Sequence, residues 1–258
     1  MGMSDLIFWW MPLAILLVLA GVFVVRRFYR DFPFFFSYIA FTVLAALARV
    51  SVRGSPLLYF WMYWATDAVL GLLALFALNE VLKHLFSIDY AEHWWFRLWL
   101  PTTAFGIAVV FLVLPVGRIT PYLSTNIVFS FDLGMHCLEV LILLLFVFLD
   151  KILVAAYDQY DFGIVRGFGV SALVTILADL LRSHFGKGFT VYFAYAPPLA
   201  YIVATLIWLY AFVRKPPSRQ KLPITIRELL GLLKKEAEIA EKIAKNWRFW
   251  RYGKLGDP

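Results

Sequence analysis

Seven long apolar runs constrain this chain more than anything else in it. They span roughly Leu6–Val25, Pro33–Val50, Leu57–Leu82, Leu98–Val116, Ser124–Leu149, Ile164–Leu181 and Phe189–Val213. A bilayer core of about 30 Å needs about 20 apolar residues per helix, and each run is near that length. The runs are continuous and rich in Leu, Ala and Phe, without the two-residue alternation of a barrel strand. In lipid only helices and closed barrels satisfy their own backbone groups, so the runs read as helices. The expected fold is an all-α membrane protein, a seven-transmembrane-helix bundle over residues 1–213, followed by a cytoplasmic tail over residues 214–258.

Composition agrees. The chain is 62% hydrophobic and 16% charged, against about 45–50% and about 25% in soluble domains. This excludes a soluble enzyme, a disordered chain and a disulfide scaffold. Cys137 is the only cysteine, so an internal disulfide is impossible. The net charge of +7 sits in the tail, where about 12 Lys/Arg face about 5 Asp/Glu.

The tail begins with the helix breaker Lys215-Pro216-Pro217-Ser218. Beyond it Ile226, Leu229, Leu230, Leu233, Ala237, Ala240, Ala244 and Trp247 recur at helical spacing, with Lys234, Lys235, Glu238, Glu241, Lys242 and Lys245 between them. The pattern predicts an amphipathic helix that lies in the membrane interface. Lys234, Lys235, Trp247, Arg248, Trp250 and Arg251 mix cations with aromatics, which suits anionic lipid at the cytoplasmic face. A protein partner docking on this helix is the alternative. Nucleic acid is not an expected partner, because no compact module for it is present.

The first run has no basic residue before it and Arg26, Arg27 and Arg30 after it. By the positive-inside rule the amino terminus is outside and the tail cytoplasmic, in a protein integral to the plasma (inner) membrane. Aromatics gather at run ends, at Trp9/Trp10, Tyr59 to Trp64, Trp94/Trp95/Trp99 and Trp208/Tyr210, and are expected as interfacial anchors.

Ionisable residues inside the runs cost about 2.5–3.5 kcal/mol or more to insert, so they carry the functional information. Asp132, His136 and Glu139 lie on one face of the fifth run, at spacings of four and three. At 1.5 Å rise per residue Asp132 is about 6 Å outward of His136 and Glu139 about 4.5 Å inward. Asp67 occupies the middle of the third run. If those helices pack together, carboxylates and an imidazole share a site fit for a ligand, a proton relay, a cation or a metal. The plainer alternative is interhelical hydrogen bonding alone.

A second group, Arg49, Arg53, Asp179 and Arg182, is expected near the outer face, where ion pairing and snorkelling compete with a mouth for an anionic ligand. Asp179 is expected to pair with Arg182, with Arg49 able to reach it. Asn79, Glu80, Lys83 and His84 are expected to form helix-local pairs. Pro197-Pro198 is expected to kink the seventh run and open a small outer pocket flanked by Tyr192, Tyr195 and Tyr201.

Known seven-span signatures are missing. The last run has no lysine for a retinal Schiff base, the third ends without Asp-Arg-Tyr, and only one histidine lies deep in a run. No Walker loop, dinucleotide glycine fingerprint, cysteine metal set or nucleophile elbow occurs. The residues therefore favour a non-enzymatic ligand-binding, sensing or scaffold protein. A proton or cation transporter using Asp67, Asp132, His136 and Glu139 comes next, and a metal-dependent intramembrane enzyme third. No cofactor is named by the sequence.

Overall fold

The computed structural model describes residues 3–92, 102–103, 106, 123–153, 159–185, 195–214, 231, 234–235 and 237–239, with backbone alone for 3–9, 88–89, 123–132, 149–153, 179 and 182–185. Every regular element among the described residues is helical. The elements are α1 (Met3–Val25), a short 3-10 turn (Phe28–Arg30), α2 (Pro33–Ser51), α3 (Pro56–Leu85), α4 (Ser87–Glu92), α5 (Leu123–Leu153), α6 (Gln159–Phe185) and α7 (Ala196–Val213).

Four helices are long and apolar enough to cross a membrane by length and composition: Pro33–Ser51, Pro56–Leu85, Gln159–Ala178 and Ala196–Val213. Trp10–Val25 and Leu133–Phe148 are shorter described apolar stretches. The first, second, third, fifth and sixth expected runs thus fall on α1, α2, α3, α5 and α6, each helix extending past its run by at most five residues at either end. The seventh run holds α7 in its later part. The fourth, Leu98–Val116, lies almost wholly outside the described residues.

Prolines set helix starts. Pro33, Pro56 and Pro197/Pro198 occupy the first turns of α2, α3 and α7. An N–H at those positions has no intrahelical acceptor, so proline loses nothing there, and its fixed φ suits the helix. This corrects the expected kink: Pro197-Pro198 begins α7 rather than breaking it. Pro12, by contrast, sits inside α1, where it withholds one donor from the preceding turn.

The six long helices pack as a closed ring of neighbours. In order round the ring, α1 touches α2, α2 touches α3, α3 touches α5, α5 touches α6, α6 touches α7, and α7 closes on α1. A further contact joins α3 to α6 across the ring. The closest seam is between α6 and α7. Gly163 and Gly167 face it one helical turn apart, and a β-carbon at either would collide with Ala211 or with the Trp208 ring. Small residues at this spacing let two backbones approach. Trp208 is fully buried there and donates Nε1–H to the Ile164 carbonyl at 3.1 Å. It is a core residue, not the expected interfacial anchor. Tyr210 is 63% exposed, and Trp61 is 61% exposed at the start of α3, as an anchor would be.

The core is aromatic. Phe23, Phe35, Phe168, Trp208 and Phe212 are buried, and neighbouring rings meet at 4.5–6.0 Å, as between Phe23 and Phe212 or Phe35 and Phe168. Tilted and edge-on pairs dominate, which lets the ring quadrupoles attract. The outward faces are apolar too, with Leu44, Leu57 and Leu144 more than half exposed. That inversion is compatible with a membrane location, where lipid replaces water around the bundle.

Beyond Arg214 only Gly231, Lys234, Lys235, Ala237, Glu238 and Ile239 are described. They are helical, and Lys234 and Lys235 are exposed. Trp247, Arg248, Trp250 and Arg251 lie outside the described residues.

Candidate functional site

The α1–α2 reversal brings the first polar cluster together. Arg27 takes a left-handed backbone, φ 60°, and α2 then starts against the end of α3. Glu80 of α3 accepts the backbone N–H groups of Phe34 at 3.5 Å and Phe35 at 3.3 Å. A carboxylate here satisfies orphan donors at the start of α2 and meets the positive end of its dipole. His84 Nδ1 lies 2.9 Å from Asp161 Oδ1 on α6, and Tyr90 donates to Asn79 at 2.6 Å. These partners reach across helices, beyond the expected helix-local pairing; of that pairing the Glu80–His84 electrostatic contact is present. The same end carries two caps on α7: Arg26 donates to the Phe212 carbonyl at 2.9 Å, and Gln159 to the Ala211 carbonyl at 3.0 Å.

A hollow of about 990 Å³ opens at this end between Arg30, Asp31, Glu80, Lys83, His84 and Tyr90. Its size alone would suit a ligand. Glu80, His84 and Tyr90 are nevertheless already engaged in joining helices, which marks it as a structural junction.

The opposite end is organised differently. Arg49 closes α2, and its Nε donates to Thr66 Oγ1 at 2.8 Å while Nη2 donates to the Tyr63 carbonyl at 3.2 Å. Nη2 also stands 3.5 Å from Asp67 Oδ1. The guanidinium lies over the Tyr63 ring, 4.3 Å from its centroid. Four contacts from three residues of one helix, α3, therefore hold the arginine side chain, and the ion pair is 16% and 26% exposed at Arg49 and Asp67. The sequence placed Arg49 and Asp67 in separate groups; in the fold they are partners.

This ion pair lines an open cavity of about 580 Å³ bordered by α1, α2, α3, α6 and α7. Leu13, Leu16, Ala45, Ala46 and Leu70 supply apolar wall, and Pro12, Pro197 and Pro198 border it where α1 and α7 carry prolines. Thr42, Ser171, Thr175 and Tyr201 complete the lining. Thr42 and Thr175 spend their protons on the carbonyls four residues back, at 2.7 and 3.0 Å. The Tyr201 hydroxyl turns away from the open space: it is buried beside the Tyr38 and Thr42 side chains, outside good hydrogen-bond geometry with either.

Behind the cavity, on α5, His136 Nδ1 lies 3.2 Å from Glu139 Oε2, and Glu139 is buried. His136 is within electrostatic range of Asp67, and Glu139 and Asp67 are both within range of Tyr38. The backbone of Asp132 is helical, and its side chain is outside the described residues. No three His, Cys, Asp or Glu side chains gather into a metal-holding group among the described residues.

The remaining expected residues are scattered. Arg53 and Tyr195 are exposed beyond the cavity. The side chains of Asp179 and Arg182, and the whole of Tyr192, fall outside the described residues, so the expected Asp179–Arg182 pair lies there too. Sequence reasoning missed Thr42, Ser171 and Pro12 as cavity residues. Pro12, a proline inside an apolar run, was the available signal for that side of the wall. Comparison with protein families, with curated proteins and with solved structures finds no match for this chain.

Proposed function

We propose that the chain is a seven-span integral membrane protein, amino terminus outside and tail cytoplasmic, that binds a small molecule between its helices without transforming it. One observation carries the binding reading. Arg49, Asp67 and Tyr201, singled out in the sequence as members of three separate groups, line a single cavity of about 580 Å³, within the size range of small-molecule sites. The basic tail, in this reading, holds anionic lipid or a partner at the cytoplasmic face.

Chain direction supports seven crossings. His84 near the end of α3 touches Asp161 at the start of α6, and only a short link joins α5 to α6. The ends of α3 and α5 therefore lie on one face, and the two helices run parallel. In this reading the connection between them makes an odd number of crossings, and Leu98–Val116 is the apolar run available for one.

Native mass spectrometry of the detergent-purified protein tests the binding reading. A small molecule retained by the wild type and lost in Arg49→Gln is expected. Bare chains in both samples would overturn it. For the tail, deletion of residues 222–258 is expected to abolish retention on vesicles containing phosphatidylserine by the solubilised bundle.

Proton or cation translocation is the second reading, favoured by the closeness of Asp67 to the His136–Glu139 pair. It needs polar groups through the full thickness. The close-packed rings of Phe35, Trp208 and Phe212 stand instead between the cavity and the Glu80 end. Proteoliposome flux that falls in His136→Ala would promote this reading over binding.

A further inference from the structure

We propose that the hollow at the Glu80 end holds the head group of a phosphodiester lipid that carries a primary amine. Arg30 and Lys83 meet the phosphate in this assignment, and Asp31 meets the ammonium. The inference rests on the membrane location of the chain and is independent of the Arg49 cavity.

The floor of the hollow is spent on the fold, but its rim is not. Glu80 holds the start of α2, and His84 faces Asp161. Arg30, Asp31 and Lys83 line the same space and are exposed. None of these three side chains makes an ion pair or hydrogen bond with a described residue. The Arg30 guanidinium only rests over the neighbouring Tyr29 ring, 5.8 Å from its centroid. Two cations and one carboxylate are thus available around a space of about 990 Å³.

That set has a chemical complement. A phosphodiester spreads one negative charge over two free oxygens, one for each cation. It offers nothing to Asp31, which as a carboxylate accepts hydrogen bonds and cannot donate them. A primary ammonium on the same head group supplies N–H donors for it. A choline head carries the same charges but no N–H, so it answers Asp31 less well.

The walls favour a lipid over a soluble phosphate. Phe28, Phe32 and Phe34 line the hollow, and the Phe34 ring meets that of Phe76 on α3 at 5.3 Å. Phe76, Leu72 and Val69 are exposed and share one face of α3 with Lys83, at successive spacings of seven, four and three. Lys83 to Leu72 is about 16 Å at 1.5 Å rise per residue, close to one leaflet of a core about 30 Å thick. A head group in the hollow therefore has an apolar track for its acyl chain beside it.

The test is native mass spectrometry of the detergent-solubilised full chain, titrated with phosphatidylethanolamine or phosphatidylcholine of the same acyl chains. One equivalent of phosphatidylethanolamine is expected to bind, about 3- to 10-fold more tightly than phosphatidylcholine, the worth of one partly solvated charged hydrogen bond. Lys83→Gln is expected to weaken both lipids by a similar factor, because both carry the phosphate. Asp31→Asn is expected to weaken phosphatidylethanolamine alone and erase its lead. Equal affinity for the two lipids in wild type, no effect of Lys83→Gln, or tighter binding in Asp31→Asn overturns the assignment, the last by showing a plain anion site. Glycerophosphoethanolamine binding as tightly as the whole lipid overturns the lipid source. Thermal melts that match wild type confirm that both variants are folded. The readout is a lipid mass, distinct from the small molecule sought with Arg49→Gln, so either proposal can fail alone.

Discussion

Tyr201 and Glu80 show how differently two buried polar groups can be placed. The Tyr201 hydroxyl is buried beside the Tyr38 and Thr42 side chains, outside good hydrogen-bond geometry with either. A buried donor so placed gains little and forfeits its hydration. Tyr201→Phe is therefore expected to leave the melting temperature unchanged or raise it by up to about 1 kcal/mol in free energy; a clear fall would show a well-formed hydrogen bond. Glu80 is the opposite case, satisfied by two backbone donors. Glu80→Ala is expected to cost about 1–2 kcal/mol, as loss of a helix cap does, read from thermal melts against wild type. Arg49 and Asp67 lie between these extremes. Their pair is partly exposed, so solvent moderates it, and a double-mutant cycle of Arg49→Gln with Asp67→Asn is expected to return about 1 kcal/mol of coupling.

At the scale of elements, what is legible in the sequence follows from what the code is local to. Apolar runs are written contiguously, so α1, α2, α3, α5 and α6 can be located within a few residues. Helix partnership is not written contiguously. Arg49 and Asp67 are eighteen positions apart on two helices, and only the α2–α3 packing makes them a pair. Glu80 reaches Phe35 and His84 reaches Asp161 for the same reason. Trp208 reads as an anchor because it is a tryptophan near the end of an apolar run; its burial depends on glycines of another helix. The Gly163 and Gly167 spacing is visible in the sequence, but nothing local to it names the helix it meets. Substitution there gives a sharp test of the seam. Gly167→Ala is expected to destabilise by several kcal/mol, because a β-carbon would enter the buried Trp208 ring rather than a flexible chain end. Gly21→Ala, with nothing near its β-carbon, is the control and is expected to be neutral or stabilising by up to about 1 kcal/mol. Equal thermal shifts in the two variants would contradict the close α6–α7 approach.

For the whole molecule, the two polar ends are kept apart by the slab of rings centred on Phe35, Trp208 and Phe212. Dry, close-packed aromatic matter is an electrical insulator. In a polarised membrane the potential difference falls mainly across the slab, and an elementary charge carried through all of that drop changes energy by about 2.3 kcal/mol per 100 mV. This equals about 50-fold in an equilibrium constant. A guest held in the Arg49 cavity, as proposed, would lie on the far side of the slab from the Glu80 end and move no charge through the drop. Its occupancy should therefore ignore membrane voltage. In proteoliposomes clamped by potassium gradients at about 0 and about 100 mV, affinity is expected to change by less than about two-fold. A cavity so placed would be shielded from the energisation of the membrane around it.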